Sequence, residues 1–275
     1  QLGRGLRKAE GKEYVVILDF IGNYDNNFMI PVALSGDRTY NADLIRKYVI
    51  SGNSTIPGAS TIHFDEISKD KIFHAIDHIK PSTFKQLIKE GYINLKNRLG
   101  RSPRLIDFYE NNEIDPLVII KEYKAYYLFA EQMERTDELF SLTEQEKLTL
   151  EYLSKTILSG VRPDELEILR LLLEKNRITY SEIIDDCKQR YSYEITNEKI
   201  DAACEVLKGT FVTNSSEREK FCRINILKSD GKDYLERILS YAEKLMHKDF
   251  YNQIQDIVEV GLARYKDKYS KPYRQ

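Results

Sequence analysis

The sequence predicts a mainly α fold, with helix-turn-helix and winged-helix-like units, preceded by a short α/β segment. Three observations carry this. Apolar residues recur on one helical face through most of the chain after residue 62. Helix starts and stops are marked by capping residues, glycines and prolines. Compact runs of strand type are few, the clearest being EYVVILDF at Glu13 to Phe20.

Taken in order, QLGRGLRKAE has helix-compatible spacing, Gly11 closes it, and Glu13 to Phe20 reads as a buried strand. Residues 1–34 are thus expected to be the end of an α/β domain, and 35–62, rich in Gly, Ser, Thr and Asn, a connector with one short helix at Asp43 to Val49. Residues 63–160 are expected to form a helical domain. Apolar positions 67, 72, 73, 76 and 79 mark one helix, and Phe84, Leu87, Ile88 and Tyr92 a second. Leu95 to Leu99 forms a short turn of helix with Gly100 just beyond its end. Ser102 and Pro103 then supply an N-cap and first-turn proline for a helix through Tyr109. Longer helices follow at Leu117 to Arg135 and Thr143 to Leu158, the latter opened by a Thr143/Glu146 capping box. Residues 161–275 are expected to hold a winged-helix-like unit: helices at 164–175, 181–190 and 197–208, then a hairpin of Thr210 to Thr213 with Lys220 to Leu227. A long helix over 231–267 and a frayed tail end the chain.

The 275 residues suffice for one large or two ordinary domains. No apolar run reaches the length of a membrane span, and the opening residues lack a signal-peptide pattern, so the expected location is cytoplasmic, with no membrane partner. Cys187, Cys204 and Cys222 lie too far apart for a zinc ribbon and are odd in number, which suits buried thiols. The net charge of −2 hides a pattern. Residues 80–104 carry seven basic groups and one acidic, whereas residues 105–205 carry twelve basic and 23 acidic. A polyanion would find its footing only in the first of these windows.

Within that window, Lys96, Arg98, Arg101, Ser102 and Arg104 surround the glycine turn and a helix N-terminus, a pattern suited to DNA phosphates. The alternative is a basic surface on an ordinary helical hairpin. The expected third helix of the winged-helix-like unit carries Glu198, Lys199, Asp201, Glu205 and Lys208 and suits packing or a protein partner better than DNA. Lys220 and Arg223 leave a wing contact open. His74 and His78, four apart, lack further ligands, so no metal is expected, and His63 reads as structural.

At the N-terminus, Gly3, Arg4 and Arg7 form G-R-x-x-R ahead of the strand. Arginines three apart share a helix face and can grip phosphate oxygens together. The string QLGRGLRKAEGKEYVVILDFIGNYDNNF resembles the end of the second RecA-like domain of superfamily 2 DEAD/DEAH-type helicases, whose sixth motif reads Q-x-x-G-R-x-x-R. The motif's leading Gln would precede Gln1. NNFMIPVALSGDRTYN, IPGASTIHFDEISKDKIF and NLKNRLGRSPRLIDFYE resemble the C-terminal domain appended to bacterial helicases of this class, which often carry a phospholipase-D-like nuclease. The resemblance implies that Arg4 and Arg7 are the ATP-sensing, catalytic arginines of a parent motor using ATP and Mg. It also implies DNA and the upstream helicase and nuclease domains as partners, and a role in DNA processing or defence. The chain begins at Gln1 and runs straight into the motif, which reads as a piece of a longer protein. It contains no G-x-x-x-x-G-K-[ST] phosphate loop, so hydrolysis and cofactors are expected of the parent and none of this piece. From a different class comes a second expectation: an interaction or scaffold module that docks a nuclease or partner and never touches DNA.

Overall fold

A computed structural model describes residues 16–22, 26–37, 39–51, 62–78, 81–136, 139–191, 194–210, 212, 215–221, 224, 226–230, 233–238, 243 and 247–269. Among them lie thirteen helices and one small sheet, which establishes the mainly α class. The chain divides into two units, Gln1–Thr83 and Phe84–Gln275.

In the first unit, α1 (Met29–Ser35), α2 (Ala42–Ser51) and α3 (Glu66–Asp77) bury Phe28, Val32, Ile45, Val49, Phe64 and Ile72. Helix α3 begins where Asp65 accepts a hydrogen bond from the Ser68 N–H at 2.6 Å, and an Arg46–Asp77 ion pair ties α2 to it. The expected buried strand over Glu13 to Phe20 is not found in its described part. Residues 16–20 have no regular structure, and Val16, Ile17, Leu18 and Phe20 are exposed. A strand needs a ladder partner for its backbone groups, and no described strand pairs with this run.

Helix α4 (Pro81–Leu99), which belongs to the second unit from Phe84 on, runs unbroken through the two helical pieces expected of it. Gly100, at φ 67°, ends it, its N–H donating to Lys96 O at 2.9 Å. The following helix, α5 (Leu105–Glu110), is a residue or two shorter at its start than expected: Arg104, not Ser102, is its N-cap, because Asp107 accepts the Arg104 N–H at 2.6 Å. The single helix expected over Leu117 to Arg135 is two, α6 (Pro116–Tyr123) and α7 (Tyr126–Glu134). Between them Lys124 has φ 68° and ψ −41°, and the Ala125 N–H bonds back to Tyr123 O at 2.8 Å in a γ-turn. No glycine or proline announces this break. It lets Ile119 and Ile120 on one side and Tyr126, Tyr127 and Phe129 on the other all reach the core.

Helix α8 (Glu144–Thr156) carries the expected capping box, with Glu146 Oε2 accepting from the Thr143 N–H at 2.7 Å. Next come α9 (Asp164–Glu174), β1 (Arg177–Thr179), α10 (Tyr180–Tyr191) and α11 (Asn197–Leu207). They are followed by α12 (Ser215–Phe221), β2 (Leu227–Ser229), β3 (Tyr234–Arg237) and α13 (Lys248–Tyr269). The antiparallel sheet has order β1-β3-β2, with Ile178 opposite Leu235 and Lys228 opposite Glu236. This is a winged-helix element order with α12 inserted before the hairpin. The three expected helices are found, but the hairpin is displaced. Ser215 to Phe221, expected partly as a loop and partly as a strand, is helical, and residues 234–237, expected in the long last helix, form β3. Their burial alternates, Leu235 and Arg237 inward, which is the period of a strand.

One apolar cluster extends from Ile88 to Leu262 and continues without a break across residues 160–161. Helix α13 lies against α5, α8 and α9. Its approach needs small residues. A Cβ on Gly261 would stand 2.6 Å from Leu166 Cδ2, and one on Gly160 would stand 2.2 Å from Gly261 O, at a backbone φ of 62°.

Candidate functional site

The basic turn is built by the C-terminal end of α4, the Gly100 reversal and the start of α5, which bring Lys96, Arg98, Arg101, Ser102 and Arg104 into one region of the second unit. Each of the five contacts a carboxylate. Lys96 Nζ meets both oxygens of Glu134, at 2.7 and 2.6 Å, and Ser102 Oγ and Tyr92 Oη donate to Glu134 Oε1 at 2.6 and 2.5 Å. Arg98 reaches Glu113 at 3.2 Å. Arg101 holds Asp107 with two parallel bonds of 2.7 and 2.9 Å. Arg104 pairs with Asp256 on α13.

Several of these carboxylates titrate away from their ordinary range. Lys96, then Ser102 and Tyr92, hold Glu134 down to about 2. Burial raises the Asp107 carboxyl, but the Arg101 guanidinium and the Arg104 N–H outweigh it and leave it lowered. At Asp256 burial wins: the carboxyl is pushed up to about 6 although Arg104 pulls the other way.

The cations are half-exposed, with 42–51% of each of the four side chains open, whereas the Asp107 and Asp256 side chains are only 8% and 4% exposed. Taking Arg101 or Arg104 away to a DNA phosphate would strand a buried carboxylate. With the guanidinium half in water, the loss is near the lower end for such pairs, about 2 kcal/mol each. Non-specific DNA affinity divided over about six to ten phosphate contacts gives roughly 1 kcal/mol per contact. The internal pairing is the stronger of the two.

Sequence reasoning missed this pairing because two of the acids are distant in the chain, Glu134 by 38 residues from Lys96 and Asp256 by 152 from Arg104. The signal for the nearer ones was present. Asp107 stands at the third helical position, where a carboxylate reaches back to the helix start.

A second feature had no counterpart in the sequence. A cavity of about 370 Å³ lies where the start of α8, the end of α9, β3 and the first turns of α13 meet. Its walls are mainly apolar, with Leu169, Leu172, Phe250 and Ile254 among them, and its polar lining includes Glu146, Arg237 and His247. Arg237 is buried, donates Nη1 to Leu172 O at 2.8 Å and lies 5.2 Å from the Tyr251 ring centre.

Arg4 and Arg7 lie outside the described residues, as do Cys222 and Arg223. Cys187 and Cys204 are buried thiols, both pushed up to about 12 chiefly by burial. Lys220 pairs with Glu151 at 2.5 Å. On α11, Asp201 accepts from Tyr180 Oη at 2.6 Å, and Glu205 pairs with Lys208 at 3.2 Å. His74 and His78 stack at 4.1 Å, and among the described residues no group of three potential ligands could hold a metal ion. Nor is any described helix long and apolar enough to cross a membrane.

A protein-family model described as "Domain of unknown function (DUF8090)" matches residues 88–269, which takes in the basic turn, the winged-helix element order and α13. No curated protein matches the chain.

Proposed function

The chain belongs to the family described as Domain of unknown function (DUF8090), and from that premise we propose that residues 84–275 are a non-catalytic coupling and docking module of a larger DNA-processing motor. The observation that carries this reading is the pairing of Lys96, Arg98, Arg101 and Arg104 with carboxylates of the same unit. A surface whose cations brace its own helices suits rigid attachment better than tracking a phosphate backbone. The acidic residues of α11, Glu198, Asp201 and Glu205, support the same reading.

The motor context rests on the resemblance of the first 28 residues to the end of the second RecA-like domain of superfamily 2 helicases, in which Gly3, Arg4 and Arg7 fall on the sixth motif. In that proposal Arg4 and Arg7 act on ATP and Mg held by the parent's other domains, and a nuclease is one candidate for docking.

A second reading, in which the turn at 96–104 contacts DNA, is favoured by one observation: half of each cationic side chain remains open to solvent. Fluorescence anisotropy with labelled single-stranded and duplex DNA over a salt series separates the two. The docking reading expects no binding near 0.1 M salt. Binding that weakens with salt, and whose salt slope shrinks in Arg101→Ala and Arg104→Ala, would replace it with the DNA reading.

A further inference from the structure

We propose that His74 and His78 are a two-point chelating site for a divalent transition-metal ion of the class that imidazole favours, Ni²⁺, Cu²⁺ or Zn²⁺. This is independent of the docking reading, which concerns the second unit. His74 stands in the last turn of α3 and His78 is its C-cap residue. Residues four apart lie one above the other on a helix. Here both side chains are exposed and their rings stack, with centroids 4.1 Å apart and planes 19° from parallel. An ion bound at about 2.0–2.1 Å to each of two ring nitrogens holds those nitrogens roughly 3–3.4 Å apart. Rings that already lie face to face come to that separation by small side-chain rotations, without moving the backbone.

The hydrogen bonding at the pair suits ligation. His78 Nδ1 lies 2.8 Å from the His74 carbonyl oxygen. That oxygen can only accept, so Nδ1 carries the hydrogen and Nε2 holds the lone pair of the neutral ring. A backbone carbonyl that fixes one ring nitrogen and leaves the other to ligate is the usual support of a metal-bound histidine. Asp77, next to His78 in the chain, is held by Arg46, and among the described residues no third ligand completes the set. The ion would therefore keep positions open to water or to a donor from another molecule. Two nitrogen donors without a carboxylate select against Mg²⁺ and Ca²⁺, which take oxygen ligands. Once bound, the ion ties the last turn of α3 across residues 74 and 78.

The test is isothermal titration calorimetry of the intact chain with nickel chloride near pH 7.5, where imidazole is mostly neutral, and with magnesium chloride alongside. Nickel is expected to bind one ion per chain, and magnesium to give no binding heat. His74→Ala and His78→Ala, both at exposed positions, are expected to keep the parent's melting curve without metal. Each should bind nickel at least about tenfold more weakly, because a single imidazole has no chelate partner. His63→Ala should bind as the parent does. Nickel should also slow amide hydrogen exchange in α3 of the parent and in neither variant of the pair. No heat at millimolar nickel, equal heat with magnesium, unchanged affinity in His74→Ala or His78→Ala, or an equal loss in His63→Ala would each overturn the proposal. The first two need only the unsubstituted protein.

Discussion

Asp256→Asn tests whether burial or ion pairing dominates at the Arg104–Asp256 contact. The Asp256 carboxyl is raised from its ordinary 3.8 to about 6, with burial the larger influence and Arg104 the opposing one. A raised acid favours the folded state in its protonated form. Its full stabilisation is therefore present below about 3.8, the unfolded value, and is lost as pH rises through about 6. At about 1.4 kcal/mol per pH unit, the ionised side chain is worth roughly 3 kcal/mol less than a neutral one above that range. Asparagine keeps the shape without the charge, and Arg104, half-exposed, regains water. Urea unfolding of both proteins, followed by far-UV circular dichroism, should show the variant more stable by about 3 kcal/mol at pH 7.5. The difference should be about half as large at pH 5 and nearly gone at pH 4. Comparing the two proteins at each pH cancels the titration of every other carboxylate. A variant less stable than the parent at pH 7.5 would mean that the guanidinium more than offsets desolvation, and the reasoning would fail.

Glu134 should behave in the opposite sense. Held down to about 2 by Lys96, Ser102 and Tyr92, it contributes stability above its ordinary 4.5 that is lost as pH falls toward 2. With Lys96 42% exposed, screening reduces this to about 1–2 kcal/mol, the expected loss in Glu134→Gln at pH 7, shrinking at pH 3. Lys124→Gly should relieve the positive φ of the γ-turn and raise stability by about 1 kcal/mol, a gain of a few degrees in Tm; a lower Tm would refute strain there. Gly261→Ala should destabilise by about 1–3 kcal/mol in chemical denaturation, and Gly160→Ala by more, because the latter would press a Cβ against a backbone carbonyl. Cys187 and Cys204 should resist iodoacetamide at pH 8 until denaturant is added, and fast labelling of either in the folded protein would contradict their burial.

Local signals were legible in the sequence. Thr143 with Glu146, and Gly100, mark helix ends through groups within four residues, so the helix ends they set could be placed closely. Signals that depend on distant partners were not. Whether Tyr234 to Arg237 is strand or helix is decided by Ile178 and Leu227 across the sheet, not by its own spacing. The break at Lys124 carries no turn residue and exists because Ile119 and Ile120 on one side of it and Tyr126, Tyr127 and Phe129 on the other are all buried. For the site, the sequence located the cations but not what they touch. A window that is strongly positive along the chain is balanced in space by Glu134 and Asp256, which lie in other windows of the chain. The cavity had no sequence signal at all, being bounded by four elements drawn from residues 143 to 254.

Helix α13 sets a condition on how the protein can be made. Asp256 meets Arg104, Arg264 holds Asp115 with two bonds of 2.7 and 2.6 Å, and Asp267 accepts from Tyr109, over separations of 149 to 158 residues. On the ribosome, α5 and α6 are synthesised long before the residues that complete their charges and cover their apolar faces. The domain's final packing must therefore wait until residues 248–269 have emerged, and the nascent chain carries a buried-side surface through most of its translation.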